Sequence, residues 1–146
     1  MADGMFNIGR GTFGELAEDD NTKFGVMLLK AAEADDTLNN YDDLNALLGA
    51  AGNTEADFTN YARKTSLTGT LSTDDAGNTR SIDFSDLTWT SAGGASNNTL
   101  VKAVLFYDEG GTDSTRIPIA HYDFAVTTDG SDLTLSWNSS GAVQSS

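Results

Sequence analysis

The chain contains no cysteine, one proline and one histidine among its 146 residues. Without cysteine there is neither a disulfide framework nor a thiol nucleophile, which excludes the disulfide-dense class of small secreted domains. One histidine is too few for a metal site built on His and Cys ligands. No apolar run is long enough to span a bilayer, and the first six residues lack the basic-then-apolar order of a signal peptide. We therefore expect synthesis in a cytoplasm and no targeting signal.

Positive charge is also scarce. Eight Lys and Arg residues oppose 22 Asp and Glu residues, so that the formal net charge is −14 and the pI is about 4.1. Nucleic acid and anionic membrane surfaces are therefore not expected as partners, because no basic stripe is present to displace counterions. The acidic composition is interpreted as favouring solubility or as an adaptation to a salty medium. The alternatives are that the acidic residues dock on a basic surface or that they bind divalent cations loosely.

Short apolar runs recur between residues 82 and 137. They alternate with polar residues and are separated by Gly, Asp, Asn, Ser or Thr, as in consecutive antiparallel strands joined by tight turns. Residues 23–32 add an apolar block that suits a buried strand, with a short helix as the alternative. A chain of 146 residues is long enough for one domain with a core, and its 38% of hydrophobic residues is low for a globular chain but above the disordered range. We predict a mainly β fold, either a small antiparallel β-sandwich or a partly closed barrel.

The first 22 residues are predicted to form an extended N-terminal arm. They are rich in glycine, which disfavours helix and strand interiors. Phe6, Ile8 and Phe13 are the candidate apolar anchors of this arm on a partner surface, and Arg10 is the candidate charged contact. The alternative is a frayed terminus.

The remainder is predicted to be a single β domain over residues 23–140, followed by a polar tail at 141–146. A short helix is expected near residues 40–49, where Tyr41, Leu44 and Leu47 have helical spacing and Asn40 is placed to cap the start. A bulge is expected near Ser85 and Asp86, where the apolar spacing shifts. Pro118 indicates a strand edge or an irregularity.

No grouping of nucleophile, base and metal ligand stands out, and we predict a non-enzymatic protein without a cofactor. His121 is the single histidine available to a Ser–His–Asp site, but its strand-like surroundings favour a structural role. Asp-rich segments at 74–78 and 129–132 fit hairpin turns and lack the EF-hand pattern; whether they bind calcium stays open. Trp89 and Trp137 fit either the core or a platform for a sugar.

Three segments carry a resemblance to a known family. They read Ile-Asp-Phe-Ser-Asp-Leu-Thr-Trp-Thr-Ser (82–91), Ala-Val-Leu-Phe-Tyr-Asp (103–108) and Ile-Pro-Ile-Ala-His-Tyr-Asp (117–123), and a last strand follows at 132–138. This pattern resembles a small structural protein common in tailed-phage genomes. The match covers roughly the second half of the chain, and the sequence departs from the pattern at Pro118, at His121 and in the Gly-rich first segment.

The resemblance implies a capsid decoration (cement) protein, a small β domain on the outside of the phage head. The implied partners are the major capsid protein and other copies of the chain, as trimers or dimers on the lattice. The implied location is the capsid exterior of the virion, after synthesis in the bacterial host cytoplasm. The alternatives are another virion component, such as a tail, neck or adaptor protein, and a carbohydrate-binding β domain.

Overall fold

The computed structural model of the chain describes residues 3–138 and 141–145. Its helices are α1 (Asn7–Asp19), α2 (Asp35–Leu38) and α3 (Leu44–Gly49), with a 3₁₀ turn at Asp113–Thr115. Its strands are β1 (Gly4–Met5), β2 (Phe24–Ala31), β3 (Thr54–Glu55), β4 (Lys64–Leu67), β5 (Thr70–Asp74), β6 (Thr79–Asp83), β7 (Leu87–Trp89), β8 (Thr99–Asp108), β9 (Arg116–Thr127), β10 (Leu133–Leu135) and β11 (Val143–Ser145).

The strands form three antiparallel sheets. The largest has the order β1-β9-β8-β2-β3, with β4 also paired to β2, and the smaller sheets are β11-β6-β5 and β10-β7. The sheets do not close into a barrel within the described ranges, and their arrangement is consistent with a small β-sandwich-like fold. The prediction of a mainly β, antiparallel fold is confirmed, and the sandwich replaces the barrel alternative.

Both faces of the large sheet are covered, because its central strands β2 and β8 are apolar along nearly their whole length. On one face, Phe24, Leu105 and Tyr107 pack with apolar side chains of α1 and of the two smaller sheets. On the other face, residues of β2 and β8 pack with Phe6 and with the helical residues Leu38, Leu44 and Leu47. The large sheet thus separates two hydrophobic cores.

The predicted extended arm is wrong, because most of it is the helix α1. Phe13 and Ala17 of α1 lie in the first hydrophobic core, at 3% and 5% exposure. The glycines allow this packing rather than preventing it. A Cβ built on Gly9 would lie 2.3 Å from the carbonyl oxygen of Ile119, so glycine alone lets the helix approach β9 this closely. Tertiary contact therefore outweighs the low helix propensity of glycine.

Some of the other local predictions are confirmed and some are corrected. A helix does lie within residues 40–49, but Asp43 caps it, its Oδ1 accepting from the amide of Ala46 at 2.7 Å. The tail beyond residue 141 is not merely polar, because β11 pairs with β6 and buries Val143. Pro118 does sit at an irregularity, since the β8–β9 register shifts where Pro118 faces Phe106.

The irregularity expected at Ser85 and Asp86 is a break between two sheets. β6 ends at Asp83 in the three-stranded sheet, and β7 begins at Leu87 in the two-stranded one. The exchange of sheets lets Phe84 and Leu87 both point into the first core. At this break, the carbonyl oxygen of Ser85 accepts a hydrogen bond from the indole nitrogen of Trp137 at 3.0 Å.

Candidate functional site: an aromatic cleft with a buried lysine behind it

A cleft of about 470 Å³ opens where β9, the residues after β10 and the strand β11 meet. Its apolar wall includes the aromatic side chains of Tyr122, Phe124 and Trp137. Its polar lining comes from Asp3, Asp123, Ser136, Asn138 and Gln144. None of the described residues that line the cleft is a lysine or an arginine. The cleft therefore combines aromatic surface with hydrogen-bonding groups and negative charge.

The aromatic wall is held in place by contacts behind it. The Trp137 ring packs on Phe84, with centroids 5.6 Å apart, and meets the Tyr122 ring edge-on at 5.4 Å. The Tyr122 hydroxyl donates to the carbonyl oxygen of Ala142. Burial, together with the nearby charge of Asp3, raises the pKa of Tyr122, so the hydroxyl stays protonated as this donor. The wall is therefore held in place by contacts within the chain.

Asp123 joins the cleft to a buried charge cluster. The side chain of Lys102 is completely buried, and its Nζ lies 2.8 Å from Asp123 Oδ1 and 2.9 Å from Asp35 Oδ1. The backbone amide of Asp123 also donates to Asp3 Oδ1 at 2.6 Å. Asp3 is thus held at the cleft by the backbone of β9, whereas the Asp123 carboxylate lies on the opposite face of the strand from Tyr122 and, with Asp35, neutralises the buried ammonium.

His121 completes the cluster and is engaged at both ring nitrogens. Nδ1 lies 3.2 Å from Lys102 Nζ, and Nε2 lies 2.8 Å from Asn39 Oδ1. Because an ammonium only donates, Nδ1 accepts and the proton resides on Nε2, which donates to Asn39. Burial, and then the charge of Lys102, lower the pKa of His121 and favour this neutral form. The arrangement agrees with the predicted structural role.

The four predicted partner-binding residues do not form one accessible surface. Phe6 and Phe13 are buried in the two hydrophobic cores, at 0% and 3% exposure, so neither is available to a partner in this fold. Ile8 is partly buried against the second core. Arg10 is exposed, with its Nε 3.5 Å from the carbonyl oxygen of Met5. The prediction is therefore corrected for Phe6 and Phe13.

The two tryptophans have different roles. Trp89 is 2% exposed, its Nε1 donates to the carbonyl of Ala62 at 2.8 Å, and Lys64 Nζ lies 5.2 Å from its ring centroid. It belongs to the core. Trp137 lines the cleft and is the one described tryptophan that a ligand can reach. Sequence reasoning missed Asp123 and Lys102, although a lysine inside an apolar strand was a signal for an internal counter-charge.

The Asp-rich turns use their carboxylates to close the backbone. Asp74 Oδ1 accepts from the amides of Ala76 and Gly77, each at 3.1 Å, and Asp129 Oδ1 accepts from the amide of Ser131 at 3.0 Å. Turn chemistry thus accounts for both segments. Within residues 3–138 and 141–145, no three His, Asp or Glu side chains are grouped so as to hold a metal ion.

Comparison of the chain with protein-family models, with curated proteins and with solved structures found no match. In the part of the chain that the structure describes, no helix has both the length and the apolar character needed to cross a bilayer. The assignment of a function therefore rests on the residues and their geometry.

Proposed function

We propose that the chain is a non-enzymatic capsid decoration protein of a tailed phage, which binds the outside of the head lattice and stabilises it. One observation carries the proposal: the segments that resemble the phage protein pack together as one unit. Phe84, Tyr122 and Trp137 come from three of these segments, and the rings of Phe84 and Tyr122 both contact the Trp137 ring. The central β8–β9 pair supplies two segments, and the β7–β10 pair joins the first to the last.

The distribution of charge supports a basic partner surface. All eight cationic side chains make contacts within the chain: Lys23, Lys30, Arg63, Arg80, Lys102 and Arg116 in ion pairs, Lys64 over Trp89, and Arg10 with a backbone carbonyl. Many acidic residues, including Glu15, Asp36, Asp75 and Asp86, are exposed, and the acids give the chain its net charge of −14. A capsid surface that presents lysine and arginine would complement them.

The hairpin of β5 and β6 is the contact element that replaces the predicted arm. Residues 72–78 are all exposed, and β5 lies at the edge of its sheet within the described residues. An edge strand presents unpaired backbone N–H and C=O groups, to which a strand of the major capsid protein can add. This contact needs no apolar anchor, which fits the burial of Phe6 and Phe13.

The proposal is tested by counting this chain in virions of the phage that encodes it. Quantitative mass spectrometry is expected to find on the order of hundreds of copies per particle, as for a component repeated over the head lattice. A few copies in a ring would instead favour the neck or adaptor alternative, and absence from the virion would overturn the proposal.

Two matched lysine variants test whether the β5–β6 hairpin contacts the capsid. Ser72→Lys places a charge on the edge strand β5, and Thr65→Lys introduces the same charge at an exposed position of β4, in a different sheet. Binding to heads that lack the protein is expected to fall for Ser72→Lys, because a lysine on an edge disfavours strand addition. Equal binding by both variants would remove the hairpin from the interface.

A further inference from the structure

We propose that the cleft beside Trp137 is a binding site for a neutral carbohydrate. The proposal concerns the isolated chain and does not depend on attachment to a phage head. Among the described residues, the cleft brings together a fixed indole ring, the carboxylate of Asp3 and two side-chain amides. Each of these groups matches a different part of a sugar ring.

The indole of Trp137 supplies the apolar half of the match. A pyranose presents a flat face of C–H groups, which packs on an aromatic ring and leaves the hydroxyls at its perimeter. The ring of Trp137 is half-buried, anchored by its hydrogen bond to Ser85 and by contact with Phe84 and Tyr122. A ligand therefore orders no side chain when it stacks there, which reduces the entropic cost of binding.

The Asp3 carboxylate and the amides supply the polar half. Asp3 Oδ1 accepts from the backbone amide of Asp123 at 2.6 Å, so this carboxylate is held beside the cleft. Its other oxygen is an acceptor for a sugar hydroxyl. Gln144 is exposed at the rim, and its amide both donates and accepts, as a hydroxyl does.

Charge selects a neutral sugar over an acidic one. The described lining holds Asp3 and Asp123 but neither lysine nor arginine. The nearby ammonium of Lys102 is buried and already paired with Asp35 and Asp123. Sialic acids, uronic acids and sulfated sugars would therefore be repelled by the carboxylate of Asp3, whereas neutral hexoses and N-acetylhexosamines would not.

The test begins with an array of neutral and anionic oligosaccharides, which is probed with the purified chain. The strongest neutral binder is then titrated by calorimetry against the wild type, Trp137→Phe and Trp137→Ala. We expect selective binding of neutral sugars and an affinity about tenfold lower for Trp137→Ala. Trp137→Phe retains a ring against Phe84 and Tyr122, so it tests the site even if the alanine variant does not fold. The Trp137→Phe variant is expected to bind the sugar more weakly than the wild type.

Two exposed positions provide variants that leave the core intact. Gln144→Ala removes one amide from the rim and is expected to lower affinity by about two- to tenfold. Asp3→Asn removes a charged acceptor and should also weaken binding, while Asp75→Asn makes the same change in the β5–β6 turn, outside the cleft lining, and should not.

Three results would overturn the proposal: no binding of neutral sugars at millimolar concentration, a preference for anionic sugars, or equal affinities in Trp137→Phe, Gln144→Ala and the wild type. Since virion composition is measured separately, these failures are distinguishable from failure of the decoration proposal.

Discussion

Lys102 and Asp123 face each other across the central strands β8 and β9, with Nζ and Oδ1 2.8 Å apart. The lysine is completely buried, whereas the aspartate side chain is 41% exposed. Asp123 is also a residue of the cleft, and its backbone amide donates to Asp3 Oδ1 at 2.6 Å. The β8–β9 register shifts immediately beside it, between Leu100 and Lys102.

Removing the buried ammonium is expected to destabilise the fold. Lys102→Ala leaves Asp35 and Asp123 without their counter-charge and opens a cavity, so the free energy of unfolding should fall by about 3 kcal/mol or more. Lys102→Met retains the volume and should cost less. Urea denaturation measures both. Lys30→Met is the control, because its pairing with Asp57 is at the surface and should contribute little. Equal stability of all three variants would contradict the role assigned to Lys102.

The pKa of His121 is expected to lie below its ordinary value of 6.5, because burial and the charge of Lys102 disfavour the imidazolium. The acids Asp3, Asp35 and Asp123 oppose this shift but do not outweigh it. Since His121 is the only histidine, its imidazole signals in an NMR titration are unambiguous. A midpoint at or above 6.5 would contradict the neutral tautomer.

The same shift predicts a loss of stability in mild acid. As the pH falls below 6.5, the unfolded chain takes up a proton at His121 before the folded chain does. The free energy of unfolding should then fall by up to about 1.4 kcal/mol per pH unit, until the folded-state pKa is reached. Urea denaturation as a function of pH measures this slope. His121→Gln should remove this loss; the further loss from Asp113, whose pKa Arg63 and Arg116 hold below its ordinary value of 3.8, occurs at lower pH and should remain.

Two glycine substitutions are expected to have opposite effects. A Cβ at Gly9 would lie 2.3 Å from the backbone oxygen of Ile119, so Gly9→Ala should force α1 away from β9 and cost about 1–3 kcal/mol. A Cβ at Gly49 would meet nothing within 4 Å, so Gly49→Ala should be neutral or stabilise α3 by up to about 1 kcal/mol. Thermal unfolding compares the two, and equal transition temperatures would contradict the close approach.

The first helix is expected to matter for folding rather than as a flexible arm. Phe13→Ala should lower the free energy of unfolding by about 3–5 kcal/mol, because the ring is buried in the first core. Arg10→Ala, at an exposed position of the same helix, should leave stability nearly unchanged. Circular dichroism during urea unfolding measures both. A Phe13→Ala variant of wild-type stability would restore the hypothesis that this segment is an arm.

Local patterns predicted the strands well where the periodicity was unambiguous. Both faces of β8 are covered, and the continuous apolar run at residues 100–107 indicated this directly. Prediction failed where packing outweighs propensity. Gly9 and Gly14 disfavour a helix, yet α1 forms because its apolar side chains are buried against sheets made by residues far along the chain. The sequence alone did not predict the cleft, because its residues come together only in the tertiary structure: Asp3, Tyr122, Trp137 and Gln144.

The sequence by itself determined the acidity, the absence of thiol chemistry and the antiparallel β character of this protein, because composition and two-residue periodicity are properties of short segments. Only the tertiary structure decided that Phe6 and Phe13 are core residues and that Trp137 lies in a cleft with Asp123. The reason is physical. Burial of a side chain depends on which distant surfaces cover it, and no local pattern specifies those surfaces.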